Sequence, residues 1–316
     1  MTVKIVVLDA DTLGRDVDLS PLLSLGEVEV FGTTSAENVW ARLRNADVAV
    51  VNKIRLNETN LSGTAVKLIC VAATGYDNID SEYCSEHEIA LCNVPGYSTD
   101  SVAQVTVATV LSLATHLFEY REFVSDGSYS ASGLANKLTP VYRELSSMTW
   151  GIVGGGGIGS KVALIAEAIG CKVLMCRRKH DGRYEQVGLD ELCSRSDIIS
   201  LHVPLSDSTK GMIGRSQIET MKTGVIFVNV ARGAVTDEEA LAEAVESGKI
   251  GGFGADVYSE EPFSDRHPFF RIKERDNVCF TPHMAWGSYE SRNRCVAEIS
   301  LNIRAFFCGE RRNRIV

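Results

Sequence analysis

Short, nearly continuous apolar runs recur along the chain at 3–8, 48–51, 68–72 and 89–94, and again at 151–153, 172–176, 198–203, 225–230, 252–255 and 278–281. Valine and isoleucine dominate them, which favours strands, and the runs do not alternate with polar residues as half-exposed strands do. Strands of that kind are covered on both faces. Between them lie segments with helical spacing, including 161–169 and 238–247. The alternation predicts a parallel α/β architecture. No fixed-period repeat of the solenoid kind is present.

The two series of runs are joined by 98–123. There Ser101-Val102-Ala103-Gln104 fits a capping box, and apolar residues at 102, 105, 110, 113 and 117 follow a helical spacing. One long helix linking two domains is expected. The next segment, 125–147, is rich in Ser, Gly and Asn and reads as an extended arm, either a surface loop or a dimer contact.

Length supports the division, since 316 residues is about twice the usual domain. A hydrophobic content of 45% and a charged content of 23% exclude disordered and low-complexity classes. The net charge of −9 carries no basic stripe, so no nucleic-acid partner is expected. The one dense basic cluster, 310–314, reads as a solvated tail. Nine cysteines without a Cys-x-x-Cys pair and six histidines without ligand spacing point to reduced thiols and no metal. The run 3–8 lacks the features of a secretion signal, and 102–117 is too polar for a bilayer span. A cytoplasmic protein with no membrane partner is expected.

The chemistry starts at 150–159, Trp-Gly-Ile-Val-Gly-Gly-Gly-Gly-Ile-Gly. Gly154, Gly156 and Gly159 complete G-x-G-x-x-G after a strand and before a helix expected to start near Ser160. Glycines there let the backbone approach a pyrophosphate seated on the helix N-terminus. The second strand of the unit would normally end on an acid that holds the ribose hydroxyls of NAD. It ends instead on Cys176-Arg177-Arg178-Lys179, with no acid before Asp181. A guanidinium suits a 2′-phosphate, which makes NADP(H) the expected cofactor, with NAD(H) possible. The competing reading is a solvated basic strand end.

Three later segments also follow strands, where open α/β sheets bind ligands. They are Asn229-Val230-Ala231-Arg232-Gly233, Asp256-Val257-Tyr258-Ser259-Glu260-Glu261-Pro262 and Thr281-Pro282-His283-Met284-Ala285-Trp286-Gly287. A cation, a carboxylate and an imidazole at such ends suit reduction of a 2-oxo acid. By composition and spacing alone this triple is one among several.

These segments, the glycine loop and Leu201-His202-Val203-Pro204-Leu205 resemble the D-isomer-specific 2-hydroxyacid dehydrogenase family. The likeness runs nearly end to end, through Ala72-Ala73-Thr74-Gly75-Tyr76-Asp77-Asn78-Ile79-Asp80 and Gly96-Tyr97-Ser98. The resemblance implies Arg232 as the substrate-binding arginine, His283 as the acid/base and Glu261 as its partner carboxylate. It implies substrate contacts from Lys53, Thr74, Gly75, Tyr76 and Trp286. Cofactor contacts are implied for Gly157, Ile158, Pro204, Thr209, Ala231, Asp256, His283 and Ala285, besides the motif glycines, Arg177 and Arg178. Asp256 would meet the nicotinamide amide. Asn52-Lys53 and His283-Met284-Ala285-Trp286 are similar to the glycerate dehydrogenase, or hydroxypyruvate and glyoxylate reductase, subgroup. Arg177, where most NAD-using members carry Asp, is the departure. His202 reads as structural.

The resemblance implies two Rossmann-like parallel-sheet domains with an interdomain cleft. A flavodoxin-like substrate domain would comprise 1–98 plus 286–316, and a doubly wound nucleotide-binding domain 99–285. A homodimer is expected. The rival functions are a nucleotide-sensing, corepressor-like regulator and a family member oxidising another acid such as phosphite.

Overall fold

In a computed structural model, residues 2–178 and 182–316 are described. Lys179, His180 and Asp181, which bear on the cofactor reading, lie outside the described residues. The chain divides into two compact units, Met1–Ser98 with Trp286–Val316, and Thr99–Ala285.

The first unit holds a parallel sheet of five strands: β1 (Val3–Val7), β2 (Gly26–Val30), β3 (Val48–Val51), β4 (Leu68–Val71) and β5 (Ala90–Cys92). Their order, β2-β1-β3-β4-β5, is the flavodoxin-like one. Side chains alternate across a strand, so each run feeds two cores. Ile5, Val7, Val48, Val50, Leu68 and Cys70 pack on one face with Cys295, Val296 and Ile299 of the helix Tyr289–Phe307. Val6, Ala49, Val51, Ile69 and Val71 fill the other with Val39, Leu43 and Leu61. The sequence reading lacked β2. Its residues, Gly-Glu-Val-Glu-Val, alternate because this edge strand is only partly covered, and Glu29 pairs with Lys4 at 3.0 Å.

Among the described residues the second unit holds seven parallel strands: β6 (Thr149–Val153), β7 (Lys172–Cys176), β8 (Glu185–Gln186), β9 (Ile198–Leu201), β10 (Val225–Asn229), β11 (Ile250–Ala255) and β12 (Val278–Phe280). The order β12-β11-β10-β9-β6-β7-β8 reverses direction between β6 and β9. That reversal is the switch point at which doubly wound sheets open a crevice beyond the carboxyl ends of their strands. Trp150, Phe227, Phe253 and Phe269 are fully buried in the two cores flanking this sheet. Trp150 meets the demand for an indole partner by donating to Ser200 Oγ at 2.9 Å.

Three local expectations are corrected. The single helix over 98–123 is two helices, Thr99–Ala114 and Leu117–Ser125, bent by 64°. The break lies at His116, whose φ of +51° no α-helix can continue. The helix starts two residues before Ser101, so Ser101 is no N-cap; its buried hydroxyl donates to Ala285 O at 2.6 Å. The glycine-loop helix starts at Gly157 rather than near Ser160. The arm 125–147 contains a short helix, Ser128–Ser132, and leaves Leu134, Leu138 and Val141 exposed. Among the described residues no single helix is long and apolar enough to cross a membrane.

Candidate active site

The glycine loop leaves β6 at the switch point, and its glycines meet separate steric demands. At Gly154, with φ +103°, a Cβ would lie 2.4 Å from His202 O. At Gly159 it would lie 1.9 Å from Gly154 O, so the helix packs on its own loop only without a side chain. Over Gly156 there is open space, and Gly156 and Gly157 are exposed. Helix Gly157–Ala168 therefore starts from a glycine N-cap that offers no side-chain acceptor to the first-turn amides. Those amides and the helix dipole suit a pyrophosphate, so the residues present fit a dinucleotide. Ile158 is half-buried against the core.

Arg177 follows β7 and crosses this loop. A Cβ at Gly155 would meet Arg177 Cδ at 2.2 Å. Gln186 Nε2 donates to Arg177 O at 2.6 Å and fixes the backbone there. Arg178 is exposed. Across the switch point, Thr209 Oγ1 donates to Pro204 O at 2.6 Å and accepts from Ser206 N at 2.9 Å, which folds the turn after β9. His202 Nε2 lies 2.9 Å from Ser200 Oγ. The residue keeps some exposure while its Nδ1 is fully covered, and burial pushes the ring down to about 3. A ring that stays neutral has no proton to give near neutral pH, which fits its structural reading.

Beyond β10, Asn229 organises the arginine loop: its side chain accepts from Ala231 N at 3.0 Å and donates to Arg232 O at 2.9 Å. Arg232 is half-buried, with Nη1 donating to Ala231 O at 2.8 Å. Beyond β11 and β12, Glu261 Oε2 lies 2.6 Å from His283 Nδ1. The other carboxylate oxygen accepts from Tyr258 N at 3.0 Å. Holding Nδ1 fixes the ring and directs proton exchange to Nε2. The His283 backbone itself is left-handed, with φ +52°.

Asp256 shapes this segment from below. Its buried carboxylate accepts from Thr281 Oγ1 at 2.6 Å, Met284 N at 2.9 Å and Ala285 N at 2.9 Å. Burial raises its pKa against these donors. These bonds make Asp256 the clasp of the His283 segment. Ala231 and Ala285 are buried in the same loops.

The remaining residues read from the sequence belong to the first unit. Lys53 is exposed on the loop after β3, and Thr74 is exposed on the loop after β4, with Gly75 and Tyr76 half-buried beside it. Asn78 Nδ2 joins these loops by donating to Ile54 O at 2.8 Å. Thr74 is held by Asn93, which donates to Thr74 O at 2.7 Å. Trp286 is half-buried, its ring 6.2 Å from that of Tyr97. Sequence reasoning missed Asp9, whose buried carboxylate accepts from Asn52, Lys53 and Ile54 amides at 2.9, 2.6 and 3.2 Å. Burial raises its pKa, with these amides opposing. An aspartate just past the end of β1 was the available signal.

Among the described residues no group of three or more metal-ligating side chains occurs. All nine cysteines are free thiols, and only Cys308 is exposed.

The family described as D-isomer specific 2-hydroxyacid dehydrogenase, NAD binding domain, matches residues 107–285. The chain is 35% identical to hydroxypyruvate reductase of Blautia hydrogenotrophica, over 97% of each chain. It is 34% identical to glycerate dehydrogenase of Methylorubrum extorquens, over 99% of each. D-Lactate dehydrogenase of Aquifex aeolicus, solved with NAD and lactic acid, superposes with a TM-score of 0.86 at 30% identity, covering 97% of this chain and 96% of that one.

Proposed function

The chain belongs to the D-isomer specific 2-hydroxyacid dehydrogenase family, and from that premise we propose that it reduces a short 2-oxo acid, hydroxypyruvate or glyoxylate foremost, to the D-2-hydroxy acid. It is an NAD(P)-dependent oxidoreductase. The observation that carries the proposal is the 2.6 Å Glu261–His283 pair at the strand ends of a nucleotide-binding unit.

The bound nicotinamide would supply hydride to the carbonyl carbon. His283 then gives the carbonyl oxygen its proton from Nε2, and Glu261 stabilises the imidazolium from which that proton leaves. Arg232 holds the substrate carboxylate and polarises the carbonyl, because a guanidinium matches both oxygens in one plane. The family resemblance supports substrate-binding roles for Lys53, the amides near Thr74 and Gly75, and Trp286 as well. The glycine loop would carry the pyrophosphate, and Arg177 with Arg178 the 2′-phosphate of NADPH.

The exposed apolar arm residues Leu134, Leu138 and Val141 support a homodimer through 125–147. The relatives named are reductases and dehydrogenases, which favours turnover over the corepressor-like and phosphite-oxidising alternatives. The test is an absorbance screen at the nicotinamide band crossing NADH and NADPH with hydroxypyruvate, glyoxylate, pyruvate and longer 2-oxo acids. Cofactor binding without consumption by any of them would overturn the proposal.

A further inference from the structure

Two buried titratable side chains of the second unit have no part in this chemistry. Glu238 is 8% exposed and opens the helix Glu238–Glu246. A carboxylate this buried needs partners, and three come from the segment after β11. Ser259 N donates to Oε1 at 2.9 Å, the Ser259 hydroxyl donates to Oε2, and His267 Nε2 lies 2.9 Å from Oε2. His267 is 6% exposed and is oriented from behind, because Phe269 N donates to its Nδ1 at 3.2 Å. Nδ1 is thus the acceptor, and Nε2 carries the proton given to Glu238.

This pair grips the backbone at Ser259, and the two-residue segment Tyr258-Ser259 touches each part of the catalytic constellation in the unit. A Cβ at Gly233 would lie 2.1 Å from Tyr258 C and 2.2 Å from Ser259 N, so the peptide sits flat against the residue following Arg232. The Tyr258 amide holds Glu261 Oε1 at 3.0 Å, and Glu261 holds His283. The Tyr258 hydroxyl donates to Thr281 O at 2.9 Å, two residues before His283. Shifting the Tyr258-Ser259 segment off Gly233 would therefore carry the carboxylate and the imidazole away from the arginine loop together.

We propose that Glu238 and His267 are positioning residues, holding the 258–259 peptide against Gly233 and so setting Glu261 and His283 relative to Arg232. The inference rests on the proposed function in taking His283 as the proton donor. A displacement of about 1 Å at such a site costs on the order of 100-fold in rate.

The test uses full-length Glu238→Gln, Glu238→Ala, His267→Ala and His267→Gln, with two readouts. The first is the downfield proton resonance of the His283 Nδ1–H···Glu261 bond, recorded without substrate and assigned by its loss in Glu261→Gln. The second is steady-state kinetics with cofactor affinity measured separately. Loss or a clear shift of the resonance is expected in Glu238→Ala and His267→Ala. Their kcat should fall about 10- to 100-fold at unchanged cofactor Kd. His267→Gln, whose amide nitrogen can replace Nε2 as donor, should restore most of both signals. If Glu238→Ala does not fold, Glu238→Gln and His267→Ala carry the comparison. An unchanged resonance and kcat in folded variants overturn the inference, as does a lowered Tm with normal kcat below it. Loss of the resonance in variants of a wild type that turns over no 2-oxo acid would uphold the positioning role and refute the proposed function.

Discussion

Arg177→Asp tests the cofactor reading at the position where the chain departs from its family. The arginine stem crosses the glycine loop closely enough that a Cβ at Gly155 would meet Cδ at 2.2 Å, and the side chain is half-buried. Two opposite unit charges about 4 Å apart gain roughly 4 kcal/mol at an effective dielectric near 20, before desolvation. Exposed pairs keep at most about 1 kcal/mol of that, and charge-assisted hydrogen bonds about 1.5–3 kcal/mol. A half-buried guanidinium on a 2′-phosphate should then contribute about 1–2 kcal/mol, or roughly 5- to 30-fold in NADPH affinity. Aspartate removes that attraction and adds a repulsion of similar size. The NADPH-to-NADH ratio of kcat/KM should therefore fall by about 30- to 900-fold. The assay is initial-rate kinetics with both cofactors at two salt concentrations. NADPH should also weaken more than NADH as salt rises. Equal kcat/KM for the two cofactors in the wild type, or equal losses for both in Arg177→Asp, would refute the reasoning.

His283→Ala should lower kcat by about 10²–10⁴, whereas Arg232→Ala should damage kcat/KM most; near-normal turnover of His283→Ala across pH would exclude the mechanism. Phe253→Ala, which empties a fully buried site beside Phe227, Phe269 and Phe280, should cost about 3–5 kcal/mol by denaturant unfolding. Arg292 lowers the Asp16 carboxyl from 3.8 to about 2. That pair stabilises the fold above the unfolded value and loses its effect as pH falls through the folded one. Asp16→Asn should thus flatten the loss of stability between pH 4 and 2, as followed by acid titration. With a thiol reagent, Cys308 should react first, and Cys295, buried and pushed up to about 12, should react only on unfolding.

Strands covered on both faces were legible because burial leaves an uninterrupted apolar run. β2 failed that rule because its glutamates mark one exposed face, and β8 is too short, at two residues, to carry a pattern. The glycine loop was legible because each steric demand there admits only one residue type. The capping box was misread: Ser101 and Gln104 have the right spacing, but the helix start had already been set upstream. The Glu261–His283 contact spans 22 residues and became readable only through the family motif. Nothing in the sequence distinguishes Glu238 from its acidic neighbours Asp237 and Glu239. Its burial depends on His267, 29 residues on, and on a backbone amide that leaves no mark in the sequence. The same holds for Asp9 and the three amides it accepts.

The left-handed backbone at His283 bears on how its proton chemistry can be removed without disturbing the fold. An alanine there must bear roughly 1–2 kcal/mol of conformational strain, whereas asparagine enters that region readily. Asparagine also keeps a polar contact for Glu261 while having no proton to exchange near neutral pH. His283→Asn should thus remove the proton donor at less conformational cost than His283→Ala, so that its loss of turnover reports the chemistry and not the backbone. As a laboratory variant it should slow protonation enough for the complex of enzyme, reduced cofactor and 2-oxo acid to be observed directly.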